Sequence, residues 1–540
     1  MYPDLLEESF YAAEVEIFEG KIRSIQAIEQ DLGGVQTLPF MLPGFIDAHI
    51  HIESSMLSPS RFAEIAVRHG TVATVSDPHE IANVLGLDGV QYMLDEAKQV
   101  PLKIHYTAPS CVPATDFEVS GARLNAHDIG VILRNDSMVA LGEMMNFPGV
   151  IYDDESVLGK IEAAKKTGKP IDGHAPGVRG RDLEKYVSAG ISTDHEAVDV
   201  KEALEKIRLG MKILIREGSA AKNFEALKSL ILEQKSMVML CSDDLHPDDL
   251  LKGHINLLVK RGLDLGATIF DMMKIYSSNP IDHYGLNVGQ LNKSDPADFV
   301  LVDSLDSLTV LSTWIDGVPV YQNGENSFNV ESKETPNKFI DNVFTRDNFI
   351  FEGEEGKYRV IDAVDGSLIT LESEEYLRSN EGHVLPDLNK DVLKISVVNR
   401  YKRAKPSLAW IRNIGLKRGA IASSVAHDSH NIIVVGCSDE EILLAVNSLI
   451  ESKGGIVVVD GDEVSCLPLP VAGIMSNNLG EEVAAAYTEL SILAKNLGSE
   501  LKAPFMTLSF MALLVIPDLK IGDKGLFDVK KFDFVNPRID

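Results

Sequence analysis

The stretch Pro43-Gly-Phe-Ile-Asp-Ala-His-Ile-His-Ile-Glu53 is an apolar run that ends by presenting two histidines, His49 and His51. On a β-strand, residues i and i+2 point to the same face, so both imidazoles project toward one spot at the end of the strand. A strand can offer two nitrogen ligands to one metal in this way. A His-x-His pair by itself is also typical of solvated strand ends, so its meaning depends on the residues that end the other strands.

Short β-rich runs alternate with helical patterns from Met41 to about Ser278, which is typical of parallel β/α units. The eight runs are Gly44–His51, Thr71–Asp77, Leu102–Ala108, Met138–Glu143, Pro170–His174, Ile191–His195, Met211–Arg216 and Met237–Asp243. Eight units predict a (β/α)8 TIM-type barrel of the α/β class over residues 41–284. Apolar residues at helical spacing predict helices at Pro59–His69, Asp154–Lys166, Arg181–Ala189, Val200–Arg208 and Asn223–Glu233.

Segments of alternating polarity flank the predicted barrel on both sides. Residues 13–25 are typical of a β-hairpin, and residues 288–303 and 313–320 show a similar pattern. Strands that are distant in the sequence can pair with each other. We therefore expect one small β-domain made of residues 1–40 and 285–325.

A third region follows this β-domain. The charged, Asn-rich stretch from about Asn323 to Lys338 is typical of a linker. A chain of 540 residues is too long for one ordinary hydrophobic core. We expect residues 340–540 to form an additional C-terminal α+β domain.

Composition argues against several classes of partner. The formal net charge of −30 would repel nucleic acid and anionic membranes. No basic segment followed by an apolar one is visible at the N-terminus, and the longest apolar stretch, Phe505–Ile516, is shorter than the ~20 residues of a membrane span. The four cysteines show no Cys-x-x-Cys spacing. We expect a cytoplasmic protein with reduced thiols that binds neither nucleic acid nor membrane.

Ligand-type residues stand at the ends of the predicted strands, where the active site of a β/α barrel lies. They are His49, His51, Glu143, His174, His195 and Asp243. Four imidazoles and two carboxylates can hold two divalent cations. Mn²⁺, Fe²⁺ and Zn²⁺ all accept this mixed donor set, and we expect Mn²⁺. Glu143 supplies the anion that two neighbouring cations need between them. Each residue alone has an ordinary structural explanation, but six on successive strand ends are poorly explained by chance.

Several motifs resemble the metal-site motifs of the amidohydrolase superfamily. They are Pro43–Glu53, Glu143, Asp172-Gly-His174, Thr193-Asp-His-Glu196 and Ser242-Asp243. Within the superfamily the match is closest to the adenine deaminase family, through the longer strings His49–Leu57, Ser76–Gly86, Cys241–Leu250, Ser423–Asn431 and Leu467–Ser476. The resemblance covers nearly the whole chain. Family members usually carry a longer N-terminus, which puts the completeness of the small β-domain in question.

The resemblance implies hydrolytic deamination of adenine to hypoxanthine and ammonia, a step of purine salvage, by hydroxide activated by two divalent metal ions. Asp243 is expected both to bind metal and to act as general base and then general acid. Glu80, Glu196 and Asp244 are the candidates for the donor of a proton to the purine ring. We favour Glu80, because Pro78 would break the second strand into an active-site loop. The alternative for Glu80 is a charge that caps the following helix.

Contacts to the substrate are expected from four residues. They are Glu196, Arg216, Ser219 and Asp244. Arg216 and Ser219 follow the seventh strand, where contacts to a purine edge can be made. A structural salt bridge is the alternative for Arg216.

Outside the predicted barrel, His427, Asp428 and His430 form a cluster of potential ligands. They could bind a metal ion or lie as a lid over the barrel mouth. We favour a lid or packing loop, because no regular element is predicted to orient them.

Two other functions have to be weighed against adenine deamination. One is a metal-dependent hydrolase of cyclic amides. Two features argue against it: Glu143 supplies its charge without modification, whereas a lysine there would need carbamylation, and the C-terminal region is long. The other is a catalytically silent scaffold, which would not be expected to keep all six ligand-type residues. The analogy with the family also predicts a homo-oligomer, a dimer or larger.

Overall fold

The computed structural model describes residues 1–28, 38–219, 221–331 and 334–539. Residues 29–37 of the expected β-domain and residues 332–333 of the expected linker therefore lie outside the described residues. Within these described ranges, no helix is both long enough and apolar enough to cross a membrane.

Eight parallel strands form a barrel. In chain order they are Phe45–Ile50, Thr71–Ser76, Lys103–Ala108, Met138–Met144, Ile171–Gly173, Thr193–Asp194, Lys212–Arg216 and Val238–Cys241. The first five pair in sequence and so do the last three. The backbone N–H of Ser192 donates to the carbonyl of Ile171 and joins the two groups, and a parallel bridge from Ile50 to Asp243 closes the circle. The predicted α/β barrel is confirmed.

Helices surround this barrel, so its strands are buried on both faces, and the eighth strand is entirely apolar. The helices are Pro59–Ala66, His79–Leu85, Leu87–Ala97, Ala126–Ile132, Phe147–Ile151, Glu155–Lys165, Gly180–Ser188, Val200–Arg208, Phe224–Leu227, Ser229–Glu233, Pro247–Leu250, Ile255–Asp264, Ile269–Met273 and Asn279–Tyr284. The predicted helix at Asn223–Glu233 is two short helices that meet at Lys228.

Antiparallel strands from both ends of the barrel segment lie beside it. One sheet has the order Glu325–Asn326, Val318–Gln322, Val310–Ile315, Phe299–Val302 and Phe40–Pro43. The hairpins are Tyr2–Asp4 with Ser9–Tyr11 and Ala13–Phe18 with Lys21–Ala27. The backbone N–H of Ile22 donates to the carbonyl of Asp295 at 3.0 Å, which ties the second hairpin to the later segment. Because Phe40–Pro43 runs directly into the first barrel strand, this small sheet anchors the start of the barrel.

The C-terminal region is built on an eight-stranded mixed sheet. In sheet order its strands are Leu371–Leu377, Gly356–Asp362, Ser407–Arg412, Leu393–Val398, Ile432–Gly436, Ala420–Ser423, Gly455–Asp460 and Glu463–Pro468. Helix Asp439–Glu451 buries an apolar stripe against this sheet. The elements that follow are the helices Gly480–Asn496 and Pro504–Ser509 and the strands Leu519–Gly522, Gly525–Asp528 and Asp533–Phe534.

This region contacts the barrel beside its first strand. The backbone N–H of Ser58 donates to the carbonyl of Ser476 at 3.0 Å, and the N–H of Ser476 donates to the carbonyl of Met56 at 2.8 Å. Met56 and Ser58 follow the His-x-His segment by only a few positions. The C-terminal region is therefore held at the mouth of the barrel where the strand-end side chains project.

Candidate metal centre and active site

Six buried side chains converge at the C-terminal mouth of the barrel. They are the expected ligands His49, His51, Glu143, His174, His195 and Asp243. Their ligand atoms form three overlapping groups, each within 4.8 Å: His49 with His195 and Asp243, His49 with His51 and Glu143, and Glu143 with His174 and His195. The structure thus brings all six residues together.

Glu143 lies at the centre of this constellation. Its Oε2 is 2.7 Å from His174 Nδ1 and 3.2 Å from His195 Nε2, and its Oε1 is 3.2 Å from His51 Nε2. Burial raises the pKa of this carboxyl, but the adjacent His174 and the other imidazoles hold it well below its usual range. Glu143 is therefore an anion that faces histidines on both sides.

Asp243 follows the eighth strand in a left-handed backbone conformation, with φ of 58°, which aspartate tolerates better than most residues. Its Oδ1 is 3.5 Å from His49 Nε2 and 3.3 Å from His51 Nε2, and its Oδ2 accepts a hydrogen bond from Arg216 at 2.5 Å. Burial raises the pKa of Asp243, but the Arg216 guanidinium keeps it well below its usual range. One oxygen thus faces the imidazoles while the other is held by a cation.

The residues at the mouth fit divalent cations. In the described part of the chain, His49 Nε2 and His174 Nε2 are buried ring nitrogens that have no hydrogen-bond partner. Buried polar atoms are nearly always satisfied, so two orphaned imidazole nitrogens in one cluster of ligand-type side chains indicate a missing electron-pair acceptor. Imidazole and carboxylate donors without thiolates match borderline and hard divalent ions.

Asp47 fixes the two strand ends that carry the first and last ligands. Its Oδ1 accepts the backbone N–H groups of His49 at 3.2 Å and Ser242 at 3.1 Å. Its Oδ2 is 2.8 Å from Nε2 of the buried His254. The carboxylate therefore holds the first and eighth strands in register, which fixes the backbone positions of the ligands they carry.

Asp194 fixes the backbone of the turns after the fifth and sixth strands. It accepts the backbone N–H groups of Ala175 and Ala197, each at 2.9 Å. The fully buried Lys206 Nζ bonds to Asp194 at 2.7 Å, to Glu202 at 2.8 Å and to the carbonyl of Ala175 at 2.8 Å. One ammonium thus neutralises two buried carboxylates behind the His174 and His195 turns.

Replacing Lys206 with Met is expected to lower the free energy of unfolding by about 3–5 kcal/mol, because two buried carboxylates lose their counter-charge. The measurement is denaturant unfolding at a fixed metal concentration. Lys165→Met removes an exposed lysine that pairs with Glu162 and should change the stability little. Equal effects of the two variants would contradict a stabilising role for the Lys206 cluster.

The three candidate proton donors occupy different surroundings. Ser54 Oγ is 2.6 Å from Asp244 Oδ1 and 3.1 Å from Glu80 Oε1, so one hydroxyl links these two carboxyls. Burial and the charge of Asp243 raise the pKa of Asp244 to about 6. Burial also raises the pKa of Glu80, but His427, whose Nδ1 is 3.2 Å from Glu80 Oε1, brings it below its usual value.

Glu196 and Arg216 form a buried ion pair at the rim of the ligand cluster. Arg216 donates to both carboxylate oxygens of Glu196, and the hydrogen bond from Nη2 to Oε2 is 2.8 Å long. Burial raises the pKa of Glu196, whereas the Arg216 charge lowers it, and the net effect is a lowered value. Both side chains line the pocket, as do Glu80 and Asp244.

Ser219 is placed differently from the other expected contacts. Its hydroxyl donates to Asp249 at 2.7 Å and accepts the backbone N–H of His246 at 2.9 Å. These contacts direct it toward the start of helix Pro247–Leu250. The structure therefore does not bring Ser219 into the pocket with Arg216.

The loop that carries His427 and Asp428 covers the barrel mouth, as the lid interpretation predicts. Both residues line the pocket, and the His427 ring stacks on Phe510 with centroids 4.5 Å apart. His430 is fully buried behind them. Ligand atoms of Glu80, His427 and His430 lie within 4.8 Å of one another, so the geometry also permits the metal-binding alternative.

Sequence reasoning did not single out several residues that line the pocket. His79 lies with its Nδ1 3.6 Å from Glu143 Oε1 and its Nε2 3.8 Å from Asp428 Oδ1. The sequence signal available for His79 was its place in the same Asp-Pro-His-Glu motif as Glu80. The apolar lining residues Met145, Leu368, Phe510 and Leu513 had no such signal, because they resemble core residues.

Comparison with known proteins agrees with this arrangement. Residues 40–320 match the amidohydrolase family, and residues 367–533 match the adenine deaminase C-terminal domain. Adenine deaminase of Methanosarcina barkeri is 51% identical over 541 aligned residues, which cover 98% of this chain and 97% of that protein. Adenine deaminase of Sulfurovum sp. is 52% identical over 536 residues, with 99% and 98% covered. With such identity along nearly its whole length, this chain belongs to the adenine deaminase family of amidohydrolases.

Proposed function

We propose that this protein hydrolyses adenine to hypoxanthine and ammonia, a reaction of purine salvage. The observation that carries the proposal is the convergence of all six ligand-type side chains in one buried cluster. Close relatives named adenine deaminase, aligned over nearly the full chain, support the choice of substrate.

The proposed metal ligands form one buried cluster and supply only imidazole and carboxylate donors. They are His49, His51, Glu143, His174, His195 and Asp243. When bound, two divalent cations would lower the pKa of water so that hydroxide is available near neutral pH. We propose Mn²⁺ as the ion, while Fe²⁺ and Zn²⁺ suit the same donors.

Asp243 is proposed to move the proton between the attacking water and the leaving amine. Its Oδ1 faces the reacting side of the pocket beside His49 and His51, and its Oδ2 is held by Arg216. Arg216 therefore fixes the orientation of the carboxylate and favours its ionised form. Such a group can accept a proton as general base and return it as general acid.

Glu80 is proposed to pass a proton to the purine ring nitrogen beside the reacting carbon. The proton is held by the pair that Glu80 forms with His427 Nδ1 at 3.2 Å, because burial lowers the pKa of His427 but Glu80 raises it to about 9. Glu80 lines the pocket, and Ser54 and His427 orient its carboxyl group. Asp244 shares the Ser54 hydroxyl and is the alternative donor. Glu80→Gln and Asp244→Asn distinguish the two, since only loss of the true donor should reduce kcat with little effect on metal content.

The remaining polar side chains of the pocket are proposed to contact the edges of the purine. Glu196, Arg216 and Asp244 line the pocket, which supports this role. Ser219, turned toward Asp249, is a weaker candidate.

The first experiment is an assay of Mn²⁺-loaded protein with adenine, with adenosine and a dihydropyrimidine tested in parallel. The expected products are equal amounts of hypoxanthine and ammonia from adenine, and metal-stripped protein is the control. Turnover of the cyclic amide without turnover of adenine would favour the cyclic amidohydrolase. Protein that binds no metal and acts on none of the substrates would favour the silent scaffold.

A cytoplasmic location and a homo-oligomeric state stay predictions. The acidic composition supports the first, and analogy with the family is the basis of the second. Light scattering of the purified protein measures the mass directly, and the mass of a single chain would contradict the predicted oligomer.

A further inference from the structure

The C-terminal region contributes apolar side chains to the pocket beside His427 and Asp428, whereas the barrel contributes most of its charged residues. Leu368, Phe510 and Leu513 line the pocket, and Met145 from the barrel packs with them. We call these four side chains the apolar wall. Adenine is planar, with polar edges and two apolar faces, so a face of the base suits the apolar wall while its edges suit the charged residues.

The apolar wall leaves little space over the charged residues. The cavity between them has a volume of about 20 Å³, which is room for about one water molecule. Adenine is far larger than one water molecule, so side chains around this cavity have to move before the base can enter. Once the base is bound, contacts that hold the apolar wall against it contribute to binding.

Lys520 connects the two segments that carry most of the apolar wall. It lies on strand Leu519–Gly522, is fully buried, and donates from Nζ to the carbonyls of Leu368 at 2.7 Å and Phe510 at 3.0 Å. A lysine is almost never fully buried unless it is paired, and both of these acceptors are backbone atoms of pocket-lining residues. The side chain thus joins two segments that are more than a hundred residues apart in the sequence.

A second contact connects the same strand to the Leu368 loop. The Thr370 hydroxyl donates to the carbonyl of Leu519 at 2.8 Å. Burial lowers the pKa of Lys520 to about 7. The ammonium form has three N–H donors and the amine form two, so both carbonyls can be bonded in either form.

We propose that Lys520 is a positioning residue that holds the apolar wall closed on bound adenine. This proposal rests on the proposed function, because it concerns adenine as the bound molecule. Lys520 acts through the backbone of Leu368 and Phe510. Its loss should weaken substrate binding more than the chemical step.

The test is Lys520→Met in the full-length, metal-loaded protein. We expect KM for adenine to rise about tenfold and kcat to change less than about twofold, because the ligands and Asp243 are not touched. Metal content should stay at the wild-type value. Lys169→Met is the matched control, since Lys169 Nζ also donates to two backbone carbonyls, those of Leu133 and Asn135, on the outside of the barrel.

A second variant, Leu368→Ala, shortens the apolar wall directly. It should raise KM by a similar factor, and adding Lys520→Met to it should have little further effect, because both act on the same segment. If Lys520→Met does not fold, Leu368→Ala decides alone, and an unchanged KM would overturn the proposal. A folded Lys520→Met with wild-type KM, or with reduced kcat and metal content but unchanged KM, would overturn it as well. Wild-type protein is assayed first, since its failure to deaminate adenine would overturn the proposed function itself.

Discussion

Glu143→Gln is expected to leave the protein with one tightly bound cation in place of two and with almost no activity. The substitution keeps the shape of the side chain but removes the charge that faces His51, His174 and His195 at distances of 2.7 to 3.2 Å. Two cations close together repel each other strongly in a buried site, and the carboxylate is what offsets this repulsion.

The size of the effect follows from the burial of the site. Removing one charged partner from a buried, hydrogen-bonded cluster costs about 3–5 kcal/mol, which corresponds to roughly 10²–10⁴-fold weaker binding. Adenine turnover should fall by at least the same factor, because hydroxide formation depends on the occupied site. Metal analysis after dialysis at a defined free Mn²⁺ concentration measures the stoichiometry, and a titration measures the affinity.

A matched control is Glu96→Gln, which alters another buried glutamate. Glu96 lies on helix Leu87–Ala97 outside the barrel and accepts a hydrogen bond from the Ser60 hydroxyl. The control should bind two cations with wild-type affinity. If Glu143→Gln also did so, Glu143 would not be the ligand shared between the two cations.

Asp243→Asn is expected to reduce kcat by roughly 10³-fold, within the range of a lost general acid–base group. An amide cannot accept the proton of the attacking water, although its oxygen can still approach His49 and His51. KM for adenine should change less than about threefold, since proton transfer matters chiefly in the transition state. Steady-state kinetics at saturating Mn²⁺, together with metal analysis of the same sample, separates catalysis from metal loss.

Asp244→Asn is the informative comparison, because it alters the neighbouring carboxyl, which bonds to Ser54 rather than to Arg216. It should retain far more activity than Asp243→Asn if Glu80 is the ring proton donor. An unchanged kcat in Asp243→Asn would remove Asp243 from the proposed proton transfer. A comparable loss in both variants would assign the ring proton to Asp244 in place of Glu80.

The strand-end residues of the predicted metal site could be predicted because barrel strands have a recognisable pattern in the sequence. A strand buried on both faces, such as Val238–Cys241, is a continuous apolar run, and the residues that follow it lie at one known edge of the barrel. The period of two placed His49 and His51 on one face. The family resemblance was confirmed by comparison with known proteins.

Loop residues were harder to predict, because their direction depends on contacts made after the chain has folded. Ser219 follows the seventh strand just as Arg216 ends it, yet Asp249 and His246 turn its hydroxyl away from the pocket. His79 adjoins Glu80 in one motif, but only the structure shows that it contacts Glu143 and approaches Asp428 from the other domain.

The sequence by itself determined the barrel, the six strand-end residues of the predicted metal site and the family, because periodicity and local motifs record which face a strand buries and what stands at its end. Only the tertiary structure decided how the pocket is closed. Leu368 is more than a hundred residues from Phe510 and Lys520 in the sequence, and apolar side chains or a buried lysine carry no local mark of the pocket. Their role arises from packing within the C-terminal region and against Met145 of the barrel, since a contact between such distant segments depends on where both lie in space.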